Sequence, residues 1–247
     1  MQKMKLILAA LAIFSITIIG CKEKIEVKSF DIELSASNLD LHNIQVKDTT
    51  FLGENALKVS LTDNFSNQIL IDGANGTLNY SPNGQAVVSD FKLHNGTIEF
   101  DMALEIQNGF PPFIRGFGGI VFRLQTLENY DCIYLRGTNG SLNTPATTDT
   151  TRLNHAIQYI KAPNFEFQEL RDSFPEVYEN PAAIAINSWH HYKFVVKESR
   201  AEVYIDYSTS ATLIVENMFG QNTEGDIGLF SGLGTNVYFK NMNVVKD

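Results

Sequence analysis

The densest run of side chains able to move protons is Glu99-Phe100-Asp101-Met102-Ala103-Leu104-Glu105. Cleaving a glycosidic bond with retention takes two carboxyl groups about 5–5.5 Å apart across it. In a regular strand Glu99 and Glu105 have Cα atoms about 20 Å apart, at ~3.4 Å per residue. The spacing therefore predicts a solvated strand face, and no residue is assigned a catalytic role. The histidines are His42, His94, His155, His190 and His191, none at a metal-ligand spacing such as His-Glu-x-x-His. His190 and His191 fall on opposite faces of a strand and cannot hold one ion between them. No Gly-x-Ser-x-Gly elbow, phosphate loop or dinucleotide fingerprint occurs. No cofactor and no metal ligand are assigned. Asp63-Asn64 and Asp72-Gly73 carry oxygens that would suit a structural calcium and equally suit turns.

A different set has the composition of a binding face. Alternation in Gly119–Leu124 places Ile120, Phe122 and Leu124 inward, with Val121 and Arg123 outward. In Cys132–Arg136 it places Ile133 and Leu135 inward, with Cys132, Tyr134 and Arg136 outward. Adjacent strands lie ~4.8 Å apart, so Arg123, Tyr134 and Arg136 can share one face. Asn139 follows in a loop, and Gln158 and Tyr159 can return beside them. Planar hydrogen-bonding groups around an aromatic ring suit a hydroxyl-rich ligand. A second reading stays open, in which Arg123 and Arg136 pair with Glu99, Asp101 or Glu105 on a solvated sheet.

These residues must be positioned by strands. Thr97–Ile106 alternates, with Ile98, Phe100, Met102, Leu104 and Ile106 on one face, and Trp189–Lys197 and Ala201–Tyr207 follow the same rule. Further strands are expected at Asp226–Ser231 and Asn236–Val245. Period-two patterning repeated this often predicts sheets with one buried face each, hence an antiparallel β-sandwich. Apolar residues at helical spacing form no long stripe, so helices are expected to be short. The stretch from 139 to 187 interrupts the pattern and holds four of the seven prolines. An insertion of that length is expected near a rim or over a sheet face.

Several phrases sit on this frame in order: Gly118-Gly119-Ile120-Val121-Phe122-Arg123, Tyr134-Leu135-Arg136, Ser188-Trp189-His190-His191-Tyr192-Lys193, Val203-Tyr204-Ile205-Asp206, Gly225-Asp226-Ile227-Gly228-Leu229-Phe230 and Val237-Tyr238-Phe239-Lys240-Asn241. Together they resemble the concanavalin A-like lectin/glucanase superfamily, and within it laminin-G-type domains and the domain named for 3-keto-disaccharide hydrolases. The resemblance runs from about residue 50 to 247. It implies a jelly-roll of two sheets and a carbohydrate partner, held on a sheet face or rim. Glu99 to Glu105 matches neither the Glu-x-Asp-x-Glu nor the Glu-x-Asp-x-x-Glu strand of the superfamily's glucanases. If the chain were an enzyme on glycosides, its acid/base would come from Glu99, Asp101, His155 or Glu166. A third expectation is a scaffold whose sheet face is filled by the insertion.

The N-terminus reads separately. Lys3 and Lys5 precede an apolar run from Leu6 to Ile19, shorter than the ~18–20 residues a membrane-spanning helix needs. Ile18-Ile19-Gly20-Cys21 resembles the lipobox of bacterial lipoproteins, which implies cleavage before Cys21 and acylation of its sulfur. The expected organisation is a signal over 1–20, a charged tether over 21–30 and a sandwich over 31–247. The expected location is the bacterial cell envelope, on the periplasmic or surface side. Without residues 1–20, which hold two of the 19 Lys and Arg and no acid, 17 basic residues face 28 acidic ones, a balance of −11. Charge of that sign attracts neither nucleic acid nor anionic lipid, so membrane contact is expected through the anchor alone. With Cys21 acylated, Cys132 is left without a disulfide partner and the core must stabilise the domain.

Overall fold

The computed structural model describes residues 28–76, 84–111, 113–220 and 223–247. The signal, the lipobox and Cys21 lie outside the described residues. The chain forms β1 (Lys28–Asp31), β2 (Leu39–His42), β3 (Ile44–Phe51), β4 (Glu54–Leu61), α1 (Asp63–Asn75), β5 (Gln85–Leu93) and β6 (Gly96–Ile106). It continues as β7 (Phe117–Thr126), β8 (Asn129–Arg136), α2 (Thr150–Asn154), β9 (Ile157–Ala162), α3 (Phe167–Ser173) and β10 (Glu179–Asn180). It closes with β11 (Trp189–Lys197), β12 (Arg200–Ile205), β13 (Leu213–Val215), β14 (Gly225–Ser231) and β15 (Thr235–Lys246).

Two antiparallel sheets result, as the alternation predicts. One has the order β13-β12-β11-β6-β15-β4-β3, with β1 also on β15; the other runs β10-β9-β8-β7-β14-β5-β2. Between them, Ile98, Phe100, Met102, Leu104, Tyr192, Phe194, Val203 and Phe239 of the first meet Ile120, Phe122, Ile133, Leu135 and Leu229 of the second, all buried. Phe100 stacks on Tyr192 with ring centroids 5.4 Å apart. Lys28–Phe30, expected in the tether, already pair with Val244–Lys246.

The sheets differ on their outer sides. The first presents Glu99, Asp101, His191, Lys193 and Tyr204 outward, partly exposed, and we call it the open sheet. The outer row of the second, Cys132, Tyr134, Arg136 and Gln158, is buried, and we call this sheet covered. The cover comes from the 139–187 stretch, which supplies β9 and β10 to the sheet and folds α3 back with Leu170 buried. The insertion is thus both an extension of one sheet and a third layer. Cys132 is fully buried, and that burial pushes its thiol well above the ordinary range.

Helix α1 corrects the expectation of short helices: it spans 13 residues. Its ends are well specified, since the Thr62 side chain accepts from Phe65 N–H and Gly76 closes it in the left-handed region at φ 69°. Its apolar face is thin, with only Ser66 and Ile69 buried, so the helical period is faint. Asp63 and Asp72 sit in its first and last turns, about 13 Å apart at ~1.5 Å per residue. Among the described residues no helix is long and apolar enough to cross a membrane.

Candidate functional site

The six residues expected on one binding face divide into two groups. Tyr134, Arg136 and Gln158 do meet, because β8 and β9 pair Tyr134 with Gln158. Arg136 Nη2 donates to Tyr134 Oη and to Gln158 Oε1, each at 3.0 Å. Arg136 Nη1 and Asn139 Nδ2 both donate to the carbonyl of His155, at 3.1 and 3.0 Å. Arg123 and Tyr159 lie elsewhere. Arg123 adopts φ 48° at a bulge where the β7 register shifts, which takes it off the outer row that strict alternation assigns it. Its side chain, only 2% exposed, donates to the carbonyl of His94 and to Asn95 Oδ1. Tyr159 is on the inter-sheet face, where its hydroxyl donates to Asp131 Oδ1 at 2.6 Å. Burial raises the Asp131 carboxyl above the ordinary range, against the pull of Tyr159, Lys161 and Arg123.

The outer-row group is sealed by charge as well as by packing. Glu179, 4% exposed, accepts from Arg171 at 2.7 and 2.6 Å, lies 3.1 Å from His155 Nε2 and 3.7 Å from Arg136. Phe117, Tyr134 and Phe167 place their rings about the Arg136 guanidinium. Burial lowers the His155 imidazole below 6.5 despite Glu179, and it raises the Tyr134 phenol to about 12. Neither arginine pairs with Glu99, Asp101 or Glu105, which belong to the other sheet. The outer row of the covered sheet is therefore a buried ionic cluster that fixes the insertion, not an open pocket. Glu179 and Arg171 were not legible as its hub, since nothing in their local spacing marks them.

The exposed constellation is on the open sheet. Strands β6 and β11 pair Asp101 with His191 and Glu99 with Lys193. His191 Nδ1 lies 2.8 Å from Asp101 Oδ1, and its Nε2 lies 3.9 Å from Glu99 Oε2. Asn241 Nδ2 donates to the other Asp101 oxygen at 2.7 Å. A carboxylate only accepts, so an Nδ1 proton points at Asp101 and Nε2 faces Glu99. Lys193 Nζ sits 3.6 Å from Glu99. Tyr207, 80% exposed, lies flat over the His191 ring, centroids 4.2 Å apart and planes 9° apart. Glu99, His191, Lys193, Tyr204, Tyr207 and Ser208 line a cleft of about 220 Å3.

Tyr207 is held there at a cost. Asp206 and Tyr207 have φ of 51° and 59°, a region that strains an aromatic residue by roughly 1–3 kcal/mol. Asp206 is fixed by the His191 N–H at 3.0 Å and by His190 Nδ1 at 2.8 Å, while His190 Nε2 accepts from Ala185 N–H. His190 and His191 do fall on opposite faces, and the buried one supports the turn that carries Tyr207. Among the described residues no cluster of three His, Cys, Asp or Glu is arranged to hold a metal ion. Of the acid/base candidates, Glu99 lines this cleft and Asp101 stands behind its His191, whereas His155 and Glu166 belong to the covered side.

No family model matches the chain, and no curated protein matches it. Solved structures are similar at low identity. The carbohydrate-binding module CBM66 from Bacillus subtilis is 15% identical over 83% of this chain and 96% of its own, TM-score 0.47. A β-glucanase from Bacillus licheniformis is 14% identical over 90% and 98%, TM-score 0.47. A Bacillus subtilis protein of unknown function with a galectin-like fold is 11% identical over 86% and 94%, TM-score 0.46. The likeness is one of fold and carries no argument about activity.

Proposed function

We propose that this chain binds a carbohydrate on the open sheet, with a sugar ring seated against Tyr207 and its hydroxyls bonded by Glu99, Lys193 and Tyr204. The observation that carries this reading is Tyr207 itself, a strained and exposed aromatic stacked on a histidine beside a polar cleft. Strain of this kind persists where the surroundings enforce it, and it clusters at binding sites. An aromatic face with hydrogen-bonding groups at its edge is what a sugar ring requires. Export and acylation at Cys21 belong to the same proposal and would put the cleft at extracytoplasmic glycans. A glycan array with the protein and its Tyr207→Asn variant tests it. The expected result is a defined set of glycans bound by the parent and lost in the variant. No glycan bound by the parent, or identical binding by both, would sink it.

A second reading is favoured by the Asp101–His191–Glu99 alignment, in which a carboxylate orients an imidazole toward a second carboxylate. That arrangement can hand a proton to or from a glycoside bound in the cleft. Release of product from a 3-keto-glycoside panel, abolished in His191→Gln with binding retained, would establish it over simple binding.

A further inference from the structure

The 139–187 stretch builds a second cleft, at the rim, that is separate from the ring-stacking site. It has a volume of about 760 Å3 and is lined by Leu142, Thr144, Pro145, Thr148, Arg152 and Ser188, among others. One wall is apolar: Leu142 is 55% exposed, next to Pro145 and the half-buried Ile186. The polar side chains are hydroxyls, a guanidinium and the amides of Asn143 and Asn187, and the lining contains neither an aromatic ring nor a carboxylate.

Arg152 is aimed by its own bonds. Its Nε donates to Asn139 Oδ1 at 3.1 Å, and its Nη2 donates to the carbonyl and hydroxyl of Thr138 at 3.3 and 3.0 Å. These three contacts fix the plane of the fork and leave Nη1 without a protein partner among the described residues. Burial, and after it the neighbouring Arg152 charge, holds the Arg115 guanidinium below its ordinary range. Asp149 offsets part of this, but one of its oxygens is used to cap α2, accepting from the Arg152 N–H at 3.2 Å. Asn143 is occupied too, donating to Gly137 and Gly140 carbonyls and accepting from Ile186 N–H, so it shapes the cleft and does not bind in it. A guanidinium oriented by its own hydrogen bonds in a cleft whose lining holds no carboxylate selects an anion, on a chain of net charge −9.

We infer that the rim cleft binds a carboxylate-bearing sugar, with the acid group on Arg152 Nη1, the ring edge on Leu142 and Pro145, and hydroxyls on Thr144, Thr148 and Ser188. The apolar wall separates such a ligand from a free small anion, which would make no use of it. The site stands independently of the proposed binding at Tyr207.

The test is titration calorimetry of the protein with digalacturonic acid, with the neutral digalactoside, and with succinate as a free dicarboxylate. Digalacturonic acid is expected to bind, and the other two to bind at least about tenfold more weakly, as loss of a charge-assisted contact or of the ring wall implies. Arg152→Gln should lose the preference for the acid. Thr148→Trp, which fills the cleft and leaves the Arg152 bonds in place, should abolish binding even if Arg152→Gln proves poorly folded. Tyr207→Asn should leave it intact, which keeps failure here distinct from failure at the open sheet. Equal affinity for the acid and the neutral disaccharide, equal affinity for succinate, binding that survives Thr148→Trp, or binding that depends on Tyr207 would each overturn the proposal.

Discussion

The two outer sheet faces carry similar side chains and use them in opposite ways. On the covered sheet Arg136, Tyr134, Gln158, His155 and Glu179 spend their hydrogen-bonding capacity on one another and on the backbone, beneath α3. On the open sheet Glu99, His191, Lys193 and Tyr207 are held in place by only part of theirs, and the rest faces solvent. Polar and aromatic residues gathered on a strand face thus do not identify a site. What separates the two is whether a further layer of chain lies on top.

Substitutions should separate the faces by what they damage. The largest effect is expected from Glu179→Ala, which leaves Arg136 and Arg171 without their buried partner; removal of one member of a buried ion pair costs about 3–5 kcal/mol. Urea unfolding measures it, and a change below ~1 kcal/mol would show that solvent reaches the cluster. On the open face His191→Ala removes the ring under Tyr207. Stacked ring pairs contribute about 0.5–1.5 kcal/mol, so glycan affinity should fall several-fold with stability changed by less than ~1 kcal/mol. Loss of fold in that variant would erase the distinction between the faces.

Tyr207→Asn sharpens the contrast further. Asparagine tolerates φ near 59° better than tyrosine, so thermal stability should hold or rise slightly while glycan binding is lost. A clear fall in melting temperature would mean that Tyr207 is a packing residue. The smallest effect concerns pH. Burial holds the folded His155 pKa below its unfolded value near 6.5. The unfolded chain therefore takes up the proton first, and stability should fall as pH drops from about 6.5 through the folded value. In His155→Gln that acid-side loss should be shallower in urea midpoints between pH 7 and 5, and an unchanged slope would exclude His155 as its source.

Legibility in the sequence followed the same division. Thr97–Ile106 and Trp189–Lys197 could be read because one side of each strand meets water, so alternation and burial coincide. In Gly119–Leu124 and Cys132–Arg136 the alternation was present but its meaning changed, since the polar side is roofed by residues 30 or more positions away. The bulge at Arg123 has no sequence mark of its own, and it breaks the parity on which its assignment rested. On the open face Glu99 and Asp101 were named as acid/base candidates, but their joining with His191 and Tyr207 was missed for a different reason. Asp101 and His191 are 90 positions apart, and only the β6–β11 register brings them to 2.8 Å. Tyr207 gave no sign until its turn conformation was visible.

The sealed thiol of Cys132 gives the molecule a built-in clock. Its sulfur sits between the sheet and the roof formed by the insertion, and the thiolate that reagents attack is suppressed there. Alkylation can proceed only when β8 is uncovered, so the labelling rate of this one atom reports how often the third layer lifts. The same seal keeps this sulfur from oxidative cross-linking for as long as the third layer stays down.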